Sequence, residues 1–353
     1  ADIIAEIIKK EKPDGILSGM GGQTGLNLTA ELYEMGALEG VQILGTPLDA
    51  IYNGEDRDLF KKLMLDIGEP VPKSFILTDI SELEDAYNEV GLPAIIRPAY
   101  TLGGAGGGVA NTKDELRKIV EHGLTKSRVH QVLIEESVKG WNEIEFEVMR
   151  DASDTCIIIC SMENVDPMGV HTGESVVVAP IQTLTADEFG VMRRAAIKII
   201  RALNVQGGCN IQMAFKDGDY RIIEVNPRSS RTVPFLSKAT GYSLADIATE
   251  VILGMSLKEL GIFDLYPEEK DRYYVKVPVF SFNKIKGLDA YLSPEMKSTG
   301  EAIGYDDKLH RAMCKALIAG GINIQNYGTV LVTLADEDKA EALPLIRRFY
   351  DMG

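Results

Sequence analysis

Residues 209–228 read Cys-Asn-Ile-Gln-Met-Ala-Phe-Lys-Asp-Gly-Asp-Tyr-Arg-Ile-Ile-Glu-Val-Asn-Pro-Arg, and more of the architecture follows from this stretch than from any other. The runs 209–215 and 220–226 are rich in the apolar residues that favour β-strands. They flank Lys-Asp-Gly-Asp at 216–219, where aspartate and glycine favour a tight turn. The stretch therefore predicts a β-hairpin.

The length of the hairpin loop decides which side chains face each other. A three-residue loop at 217–219 places Gln212 opposite Glu224 and Asn210 opposite Asn226. A two-residue loop would shift the register by one and send Gln212 and Glu224 to opposite faces of the sheet. We expect the three-residue loop, and with it an oxygen-rich patch of Gln212, Glu224 and Asn226.

This patch has the chemistry of a metal and phosphate site. Glu224 and Asn226 lie two apart in a strand, so their side chains share a face. A carboxylate and an amide oxygen suit a hard divalent cation such as Mg²⁺ or Mn²⁺. Arg228 and Arg231 follow at once, and guanidinium groups match phosphate geometry. The pattern indicates a site where a nucleoside triphosphate is cleaved. The alternative is an ordinary hairpin with a solvated polar face.

Length and composition limit the class of protein. A chain of 353 residues is long enough for two or three domains and a sizeable core. The net charge of −16 argues against a nucleic-acid-binding surface but is compatible with nucleotide binding by a few local arginines. We see no membrane-spanning run and no signal peptide. The four cysteines lack metal-site spacing, which favours a reducing, cytoplasmic compartment.

The pattern of helices and strands changes along the chain. Residues 1–45 alternate helix and strand, with a glycine loop at 19–25, as the end of an α/β unit with a parallel sheet does. Residues 71–145 mix short strands and helices, and residues 146–230 are rich in strands. Further expected elements are a helix at 49–67, a helix at 239–260, and strands at 273–280 and 327–334. The chain lacks an initiator Met, and both ends look cut from something longer.

A second glycine-rich segment reads Arg-Pro-Ala-Tyr-Thr-Leu-Gly-Gly-Ala-Gly-Gly-Gly at 97–108. Glycines let backbone amides approach phosphate oxygens closely. The spacing fits neither the dinucleotide-binding fingerprint nor a P-loop. We expect a flexible loop between two strands that folds over a triphosphate, with Arg97 gripping a phosphate. A mobile hairpin tip is the alternative.

Two smaller clusters are polar. Residues 133–143 read as a strand and a turn, whose backbone edge could bind a purine while a carboxylate holds ribose hydroxyls. A surface strand with solvated carboxylates is the alternative. His171 stands in a glycine-flanked loop at 168–173, where a structural histidine is the more common case.

Six motifs read Met-Gly-Gly-Gln-Thr-Gly-Leu-Asn at 20–27, Glu-Asp-Arg at 55–57, Ile-Ile-Arg-Pro at 95–98, His-Thr-Gly-Glu-Ser at 171–175, Glu-Val-Asn-Pro-Arg at 224–228 and Ser-Lys-Ala-Thr-Gly at 237–241. Together they resemble an ATP-grasp enzyme, and specifically the large chain of carbamoyl phosphate synthetase. Many ATP-grasp relatives, including biotin carboxylase, place Lys-Pro where this chain has Arg97 and Pro98. The resemblance extends over nearly the whole chain.

The resemblance implies an α/β protein with the α+β ATP-grasp fold, preceded by part of a Rossmann-like pre-ATP-grasp domain. Residues 1–52 would be the C-terminal part of that first domain. Residues 53–322 would form the ATP-grasp domain, with a small lobe at about 73–140 that carries the glycine loop. Residues 323–353 would start a truncated regulatory domain similar to methylglyoxal synthase.

The family also implies an activity. Its large chain has two similar halves: one phosphorylates bicarbonate, ammonia converts carboxyphosphate to carbamate, and the other half phosphorylates carbamate, for pyrimidine and arginine biosynthesis. Residues 20–180 resemble the first half and residues 231–304 the second. The chain could thus be a single-copy synthetase that serves both steps, as a homodimer. Alternatives are another ATP-grasp carboxylate–amine ligase and a nucleotide-binding fragment without turnover.

The family's site residues can be carried over by position. ATP and two Mg²⁺ or Mn²⁺ ions per site are the implied cofactors. Bicarbonate, ammonia or carbamate and a glutamine amidotransferase small subunit are the implied partners, with no nucleic acid and no membrane. Glu224, Arg228 and Arg231 would act on the transferred phosphoryl group, and Gln212, Glu224 and Asn226 would hold the metals. The implied ATP-site residues are Arg57, Arg97, Gly103, Gly104, Glu136, Val138, Glu143, Gly169, Val170, His171, Gln212 and Glu224.

Overall fold

The computed structural model describes residues 1–98, 106–127, 129–230, 232–263, 271–281, 292, 297–322 and 327–353. Helices and strands follow one another along these residues with the bounds α1 (Asp2–Glu11), β1 (Gly15–Leu17), α2 (Gly22–Glu34), β2 (Gln42–Leu44), α3 (Leu48–Glu55), α4 (Arg57–Asp66), β3 (Ser74–Leu77), α5 (Leu83–Val90), β4 (Ala94–Pro98), β5 (Gly108–Ala110), α6 (Lys113–Lys126), β6 (Val132–Glu136), β7 (Asn142–Arg150), β8 (Cys156–Asn164), β9 (Val177–Ala179), α7 (Ala186–Leu203), β10 (Gly207–Lys216), β11 (Asp219–Asn226), α8 (Val233–Thr240), α9 (Leu244–Ile252), β12 (Tyr273–Val279), β13 (Gly300–Asp306), α10 (Leu309–Ala319) and α11 (Lys339–Asp351).

A seven-stranded antiparallel sheet forms the centre of the molecule, in the order β11-β10-β7-β8-β9-β12-β13. In β7, apolar residues alternate with glutamates, so the strand is apolar on one face and acidic on the other. Ile144, Phe146 and Val148 of the apolar face pack with Met192 and Ile199 of α7 in the largest buried cluster. Helices α8 and α9 contribute to a second apolar cluster with β8.

The hairpin of β10 and β11 differs from the prediction in its loop. Lys216 pairs with Asp219, so the loop has two residues and not three. Asp217 and Gly218 have φ values of 50° and 84°. Positive φ at both central residues is the signature of a type I′ turn, whose twist matches that of the strands it joins. The prediction of a three-residue loop is therefore wrong.

The predicted side-chain pairing is nevertheless present. Gln212 lies opposite Glu224 and Asn210 opposite Asn226. The register shifts between Gln212 and Met213, because Ile223 is an extra residue in β11. Such a β-bulge sets two residues against one and restores the register that the short loop had displaced. The hairpin reaches the expected arrangement by a different route.

A smaller antiparallel sheet, in the order β3-β6-β4-β5, forms the small lobe with α5 and α6. Leu77, Ile96 and Ile134 are among its buried residues. Helix α6 starts at a capping box, in which Thr112 and Glu115 satisfy each other's backbone amides. The glycine loop falls between β4 and β5, and its residues 99–105 lie outside the described residues.

The N-terminal unit contains a parallel pair of strands, β1 and β2, as the sequence predicted. Ile8, Leu32 and Leu38 form its own buried cluster. The hydroxyl of Thr46 donates a hydrogen bond to the backbone oxygen of Pro227. This bond joins the N-terminal unit to the end of β11, next to the candidate site.

Two expected helices are each divided. Asp56 interrupts the helix expected at 49–67, because its carboxylate caps α4 by accepting from the amides of Asp58 and Leu59. The helix expected at 239–260 begins earlier, stops at Gly241, which has a φ of 83°, and resumes as α9. In the segment expected as a loop at 19–25, a 3₁₀ turn runs directly into α2.

The strand expected at 327–334 is not formed. These residues form neither helix nor strand and pair with no strand among the described residues, and a strand without a partner is not stable. Helix α11, which follows, has no buried residue. Within the described part of the chain, no helix is both long enough and apolar enough to span a bilayer.

Candidate active site

The polar face of the β10–β11 hairpin brings the three predicted metal ligands together. Glu224 is exposed, and Gln212 and Asn226 are partly buried. The side-chain amide of Asn226 donates to Glu224 Oε1 at 2.9 Å. Arg228 Nη2 donates to Asn226 Oδ1 at 3.0 Å. The hairpin thus presents a carboxylate, two amides and a guanidinium group on one surface.

The residue types in this set fit a cation that phosphates also bind. Among the described residues, no three His, Cys, Asp and Glu side chains are grouped as a metal site. The hairpin offers one carboxylate and two amides, and Mg²⁺ commonly uses one or two carboxylates together with substrate phosphates and water. The NH₂ group of Asn226 faces Glu224, so Asn226 would offer its oxygen to a cation beside Glu224 only after its amide rotates.

A row of buried glutamates lies beside the hairpin on β7. Glu145 pairs with Gln212 and Glu147 with Asn210 in the sheet register. Glu143, Glu145 and Glu147 are only 1–2% exposed. The side-chain amide of Asn210 donates to Glu145 Oε2 and to Glu147 Oε2, both at 3.0 Å. One amide thus holds two buried carboxyl groups.

Burial changes the acidity of this row. It raises the pKa of Glu147 to about 7, because a carboxylate loses solvation inside the protein. Burial, assisted by the neighbouring charge of Glu145, raises the pKa of Glu143 to about 7. The pKa of Glu145 is raised as well, again chiefly by burial. A proton is therefore available within the row near neutral pH.

Lys276 of β12 provides a positive charge near these glutamates. Its side chain is 2% exposed, and its ammonium donates to the backbone oxygen of Thr172 at 3.4 Å. Burial lowers its pKa, while the nearby Glu145 acts in the opposite direction. Thr172 also donates to Glu143 Oε1 at 2.7 Å, so it contacts both charged groups.

Sequence reasoning missed most of this row. Only Glu143 was expected at the site, whereas Glu145, Glu147 and Lys276 were not. The signal was present, because glutamate alternates with apolar residues at 143–148 and Lys276 interrupts an apolar strand. Alternation indicates the face of a side chain but not whether that face is covered.

Several residues expected to bind the adenosine end of ATP lie close together. Val138 is buried at the end of the small lobe. The backbone amide of Gly140 donates to the oxygen of Met168 at 3.2 Å, and Met168 donates back to Trp141 at 2.8 Å. These bonds join the segment after β6 to the loop that carries Gly169, Val170 and His171. His171 Nδ1 accepts the amide of Gly173 at 2.9 Å, so the ring has a structural bond within this loop.

Of the remaining predicted residues, Arg97 belongs to the small lobe. Arg97 is exposed on β4 and forms an ion pair with Glu135 at 3.3 Å. A cavity of 390 Å³ lies against residues 95–98 and 107–109. Arg57 is the first residue of α4. Gly103, Gly104 and Arg231 lie outside the described residues.

Comparison with protein families identifies the relatives of this chain. The family model of the carbamoyl-phosphate synthase L chain, ATP binding domain, matches residues 56–260. The model of the carbamoyl phosphate synthase preATP-grasp domain matches residues 1–53.

Curated relatives give the same result. A carbamoyl phosphate synthase large chain of Methanocorpusculum labreanum is 74% identical over 323 residues, which are 90% of this chain and 31% of the relative. The corresponding protein of Methanoregula boonei is 63% identical over 322 residues, again 90% of this chain and 31% of the relative. The chain thus spans about a third of the length of these relatives.

Solved structures show the fold. Biotin carboxylase from Campylobacter jejuni, in a β,γ-ATP complex, has a TM-score of 0.69 at 16% identity over 90% of this chain and 76% of that one. The biotin carboxylase domain of Hydrogenobacter thermophilus 2-oxoglutarate carboxylase, in complex with MgADP, ADP and bicarbonate, has a TM-score of 0.62 at 17% identity over 79% of this chain and 61% of that one. The predicted ATP-grasp fold is confirmed.

Proposed function

Because the chain belongs to the carbamoyl phosphate synthase large-chain family, we propose that it is an ATP-dependent ligase unit that phosphorylates bicarbonate. The products would be ADP and carboxyphosphate, which ammonia converts to carbamate. The observation that supports this most is the pairing of Gln212 with Glu224, and of Asn210 with Asn226, on one polar face of the hairpin.

Phosphoryl transfer depends mainly on positioning and on neutralising charge. In our proposal, Gln212, Glu224 and Asn226 hold Mg²⁺ against the phosphates of ATP. A cation held there would polarise the transferred phosphoryl group and would reduce repulsion between the two anionic substrates. Arg228 lies beside this set, and we assign it to charge that develops on the transferred oxygens. Arg231 is proposed for the same role.

The adenosine end of the nucleotide would lie against the segment that leaves the small lobe. Glu136, Val138, Glu143 and the loop of Gly169 to His171 are the proposed contacts. Arg57, Arg97, Gly103 and Gly104 would contact the phosphates, with the glycine loop excluding water. Water exclusion matters because water would otherwise hydrolyse an acyl phosphate.

The finer assignments belong to the same proposal. We propose two cations per site, with Mn²⁺ able to replace Mg²⁺, and phosphorylation of carbamate as well as bicarbonate. We also propose a glutamine amidotransferase partner and a homo-oligomer. The enzyme would act in the cytoplasm, in pyrimidine and arginine biosynthesis. The domain boundaries at 52 and 322, with a regulatory domain beginning at 323, are also proposed.

The test is ADP release from MgATP by the purified chain, measured with and without bicarbonate, ammonia and carbamate. Bicarbonate-stimulated ADP release that requires Mg²⁺ is expected. Stimulation by a different carboxylate, with bicarbonate inert, would favour another ATP-grasp ligase. Slow ATP hydrolysis whose rate does not change with bicarbonate, ammonia or carbamate would indicate a nucleotide-binding fragment without turnover of these substrates.

A further inference from the structure

The small lobe is connected to the large sheet by two neighbouring segments of the chain. Residues 69–73 lead into it and residues 136–141 lead out of it. The two segments are joined at Lys73 and Glu136: the amide of Glu136 donates to the oxygen of Lys73 at 2.8 Å. The amide of Lys73 in turn donates to the carboxylate of Glu136 at 3.1 Å.

Strand β11 holds both segments through three consecutive residues. Tyr220 donates its hydroxyl hydrogen to Glu69 Oε2 at 2.8 Å. The amide of Ile222 donates to the oxygen of Pro70 at 2.7 Å. Arg221, between them, reaches the outgoing segment at Glu136. The strand that carries Glu224 therefore also sets the place where the small lobe is attached.

The contact of Arg221 with Glu136 is bidentate. Arg221 Nε lies 3.1 Å from Glu136 Oε2, and Arg221 Nη2 lies 3.3 Å from Oε1. The guanidinium also contacts Asp219 at 2.8 Å and lies 5.6 Å from the ring centre of Trp141. The Arg221 and Glu136 side chains are 13% and 18% exposed. Water therefore screens this pair less than a surface pair.

Stability alone does not account for such a pair. A mostly buried ion pair gains little over an apolar pair of the same size, because both charges lose solvation. A bidentate guanidinium–carboxylate contact fixes direction as well as distance. Here the contact fixes the direction of the segment from Glu136 to Val138 relative to β11. Glu224 lies on the same strand, three residues after Arg221.

We propose that Arg221 is a positioning residue that sets the distance between the adenosine-binding segment and the metal-binding hairpin. In the proposed function, the segment that begins at Glu136 and the carboxylate of Glu224 bind opposite ends of one nucleotide, so their separation has to match its length. Arg221 holds that separation before the nucleotide arrives, which lowers the cost of ordering the site on binding. This inference rests on the proposed function and adds a residue that the sequence motifs do not contain.

The experiment compares Arg221→Met with the unmodified chain by calorimetric titration with MgATP and by thermal unfolding. We expect MgATP affinity to fall by roughly tenfold at a temperature where both proteins are folded, the usual scale for a lost charged hydrogen bond. Arg221→Lys keeps the charge but not the bidentate contact, so its affinity for MgATP should lie between that of Arg221→Met and that of the unmodified chain. A role in stability alone would lower the unfolding temperature and leave the affinity of the folded protein unchanged.

Arg201→Met is the control for loss of an ion-paired arginine, because Arg201 of α7 pairs with Asp154 at 3.2 Å outside the small lobe. Its MgATP affinity should equal that of the unmodified chain. A double-mutant cycle with Glu136→Gln should show that the two losses of affinity are less than additive.

Unchanged affinity in both Arg221→Met and Arg221→Lys would overturn the inference while leaving the proposed function standing. If Arg221→Met does not fold, the Lys variant alone decides. Failure of the unmodified chain to bind MgATP would reject the proposed function, and this inference with it.

Discussion

The carboxylates on one face of the large sheet have two different surroundings. Glu145 and Glu147 belong to β7, which has a neighbour on each side, and they are buried. Glu224 belongs to β11, at the edge of the sheet, and it is exposed. The central carboxyl groups of Glu145 and Glu147 already share the amide of Asn210.

This difference separates two uses of one residue type. A carboxylate that is covered and bonded to protein groups contributes to the structure and retains its proton more readily. A carboxylate at the open edge remains accessible to a cation and a phosphate. Position in the sheet, and not residue type, makes the distinction.

The largest expected effect is on activity, at the exposed carboxylate. Glu224→Ala removes the only carboxylate of the proposed metal set, so bicarbonate-dependent ATP hydrolysis should fall by roughly 10³-fold or more. The fold should survive, because the side chain is exposed. Steady-state ADP release measures the activity, and circular dichroism measures whether the variant is folded. Turnover like that of the unmodified chain would remove Glu224 from the metal set.

The next effect is on stability and compares neighbouring amides of β10. Asn210→Asp adds a negative charge within 3.0 Å of both Glu145 and Glu147. At pH 8 it should lower the free energy of unfolding by about 3 kcal/mol, since a buried like charge is not compensated. Gln212→Glu, at a partly open position, should cost less than about 1 kcal/mol. Urea denaturation measures both, and equal costs would contradict the contrast.

A smaller effect concerns pH. The pKa of Glu147 is about 7 in the folded protein against an ordinary value of 4.5. The folded state therefore binds a proton that the unfolded state has lost between these values, so stability present at low pH declines as the pH rises through this window. Glu147→Gln should flatten that decline by about 2 kcal/mol. Urea titrations at pH 5 and pH 8 test this, and an unchanged slope would assign the pH dependence to other groups.

The smallest effect is expected at the hairpin turn. The turn helps to position Gln212, Glu224 and Asn226 but contributes no ligand itself. Gly218 has a φ of 84°, which a residue with a Cβ adopts at a cost. Gly218→Ala should lower the free energy of unfolding by about 1 kcal/mol and leave MgATP turnover unchanged. A loss of turnover in a folded Gly218→Ala variant would show that the turn acts on the site directly.

The sequence predicted the polar residues of the β10–β11 hairpin better than the buried glutamates of β7. The expected register placed Gln212 opposite Glu224 correctly, although the loop from which it was derived had one residue too many. The alternation of glutamate with apolar residues in β7 gave no indication that Glu145 and Glu147 would be buried, because burial depends on which strands become neighbours. The break at Asp56 was missed because a capping carboxylate looks like any polar residue inside an amphipathic helix. The strand expected at 327–334 was wrong because a run of residues that favour β-structure does not supply a partner strand.

The bulge at Ile223 has a consequence for how relatives of this hairpin are aligned. A turn shorter by one residue and a strand longer by one residue cancel, so neither change alone preserves the partner of Gln212. An alignment that opens a gap in the turn but not in the strand would assign Glu224 to the wrong side of the sheet. A hairpin with only one of the two changes would place Gln212 and Glu224 on opposite faces of the sheet, and it would lose the proposed cation site.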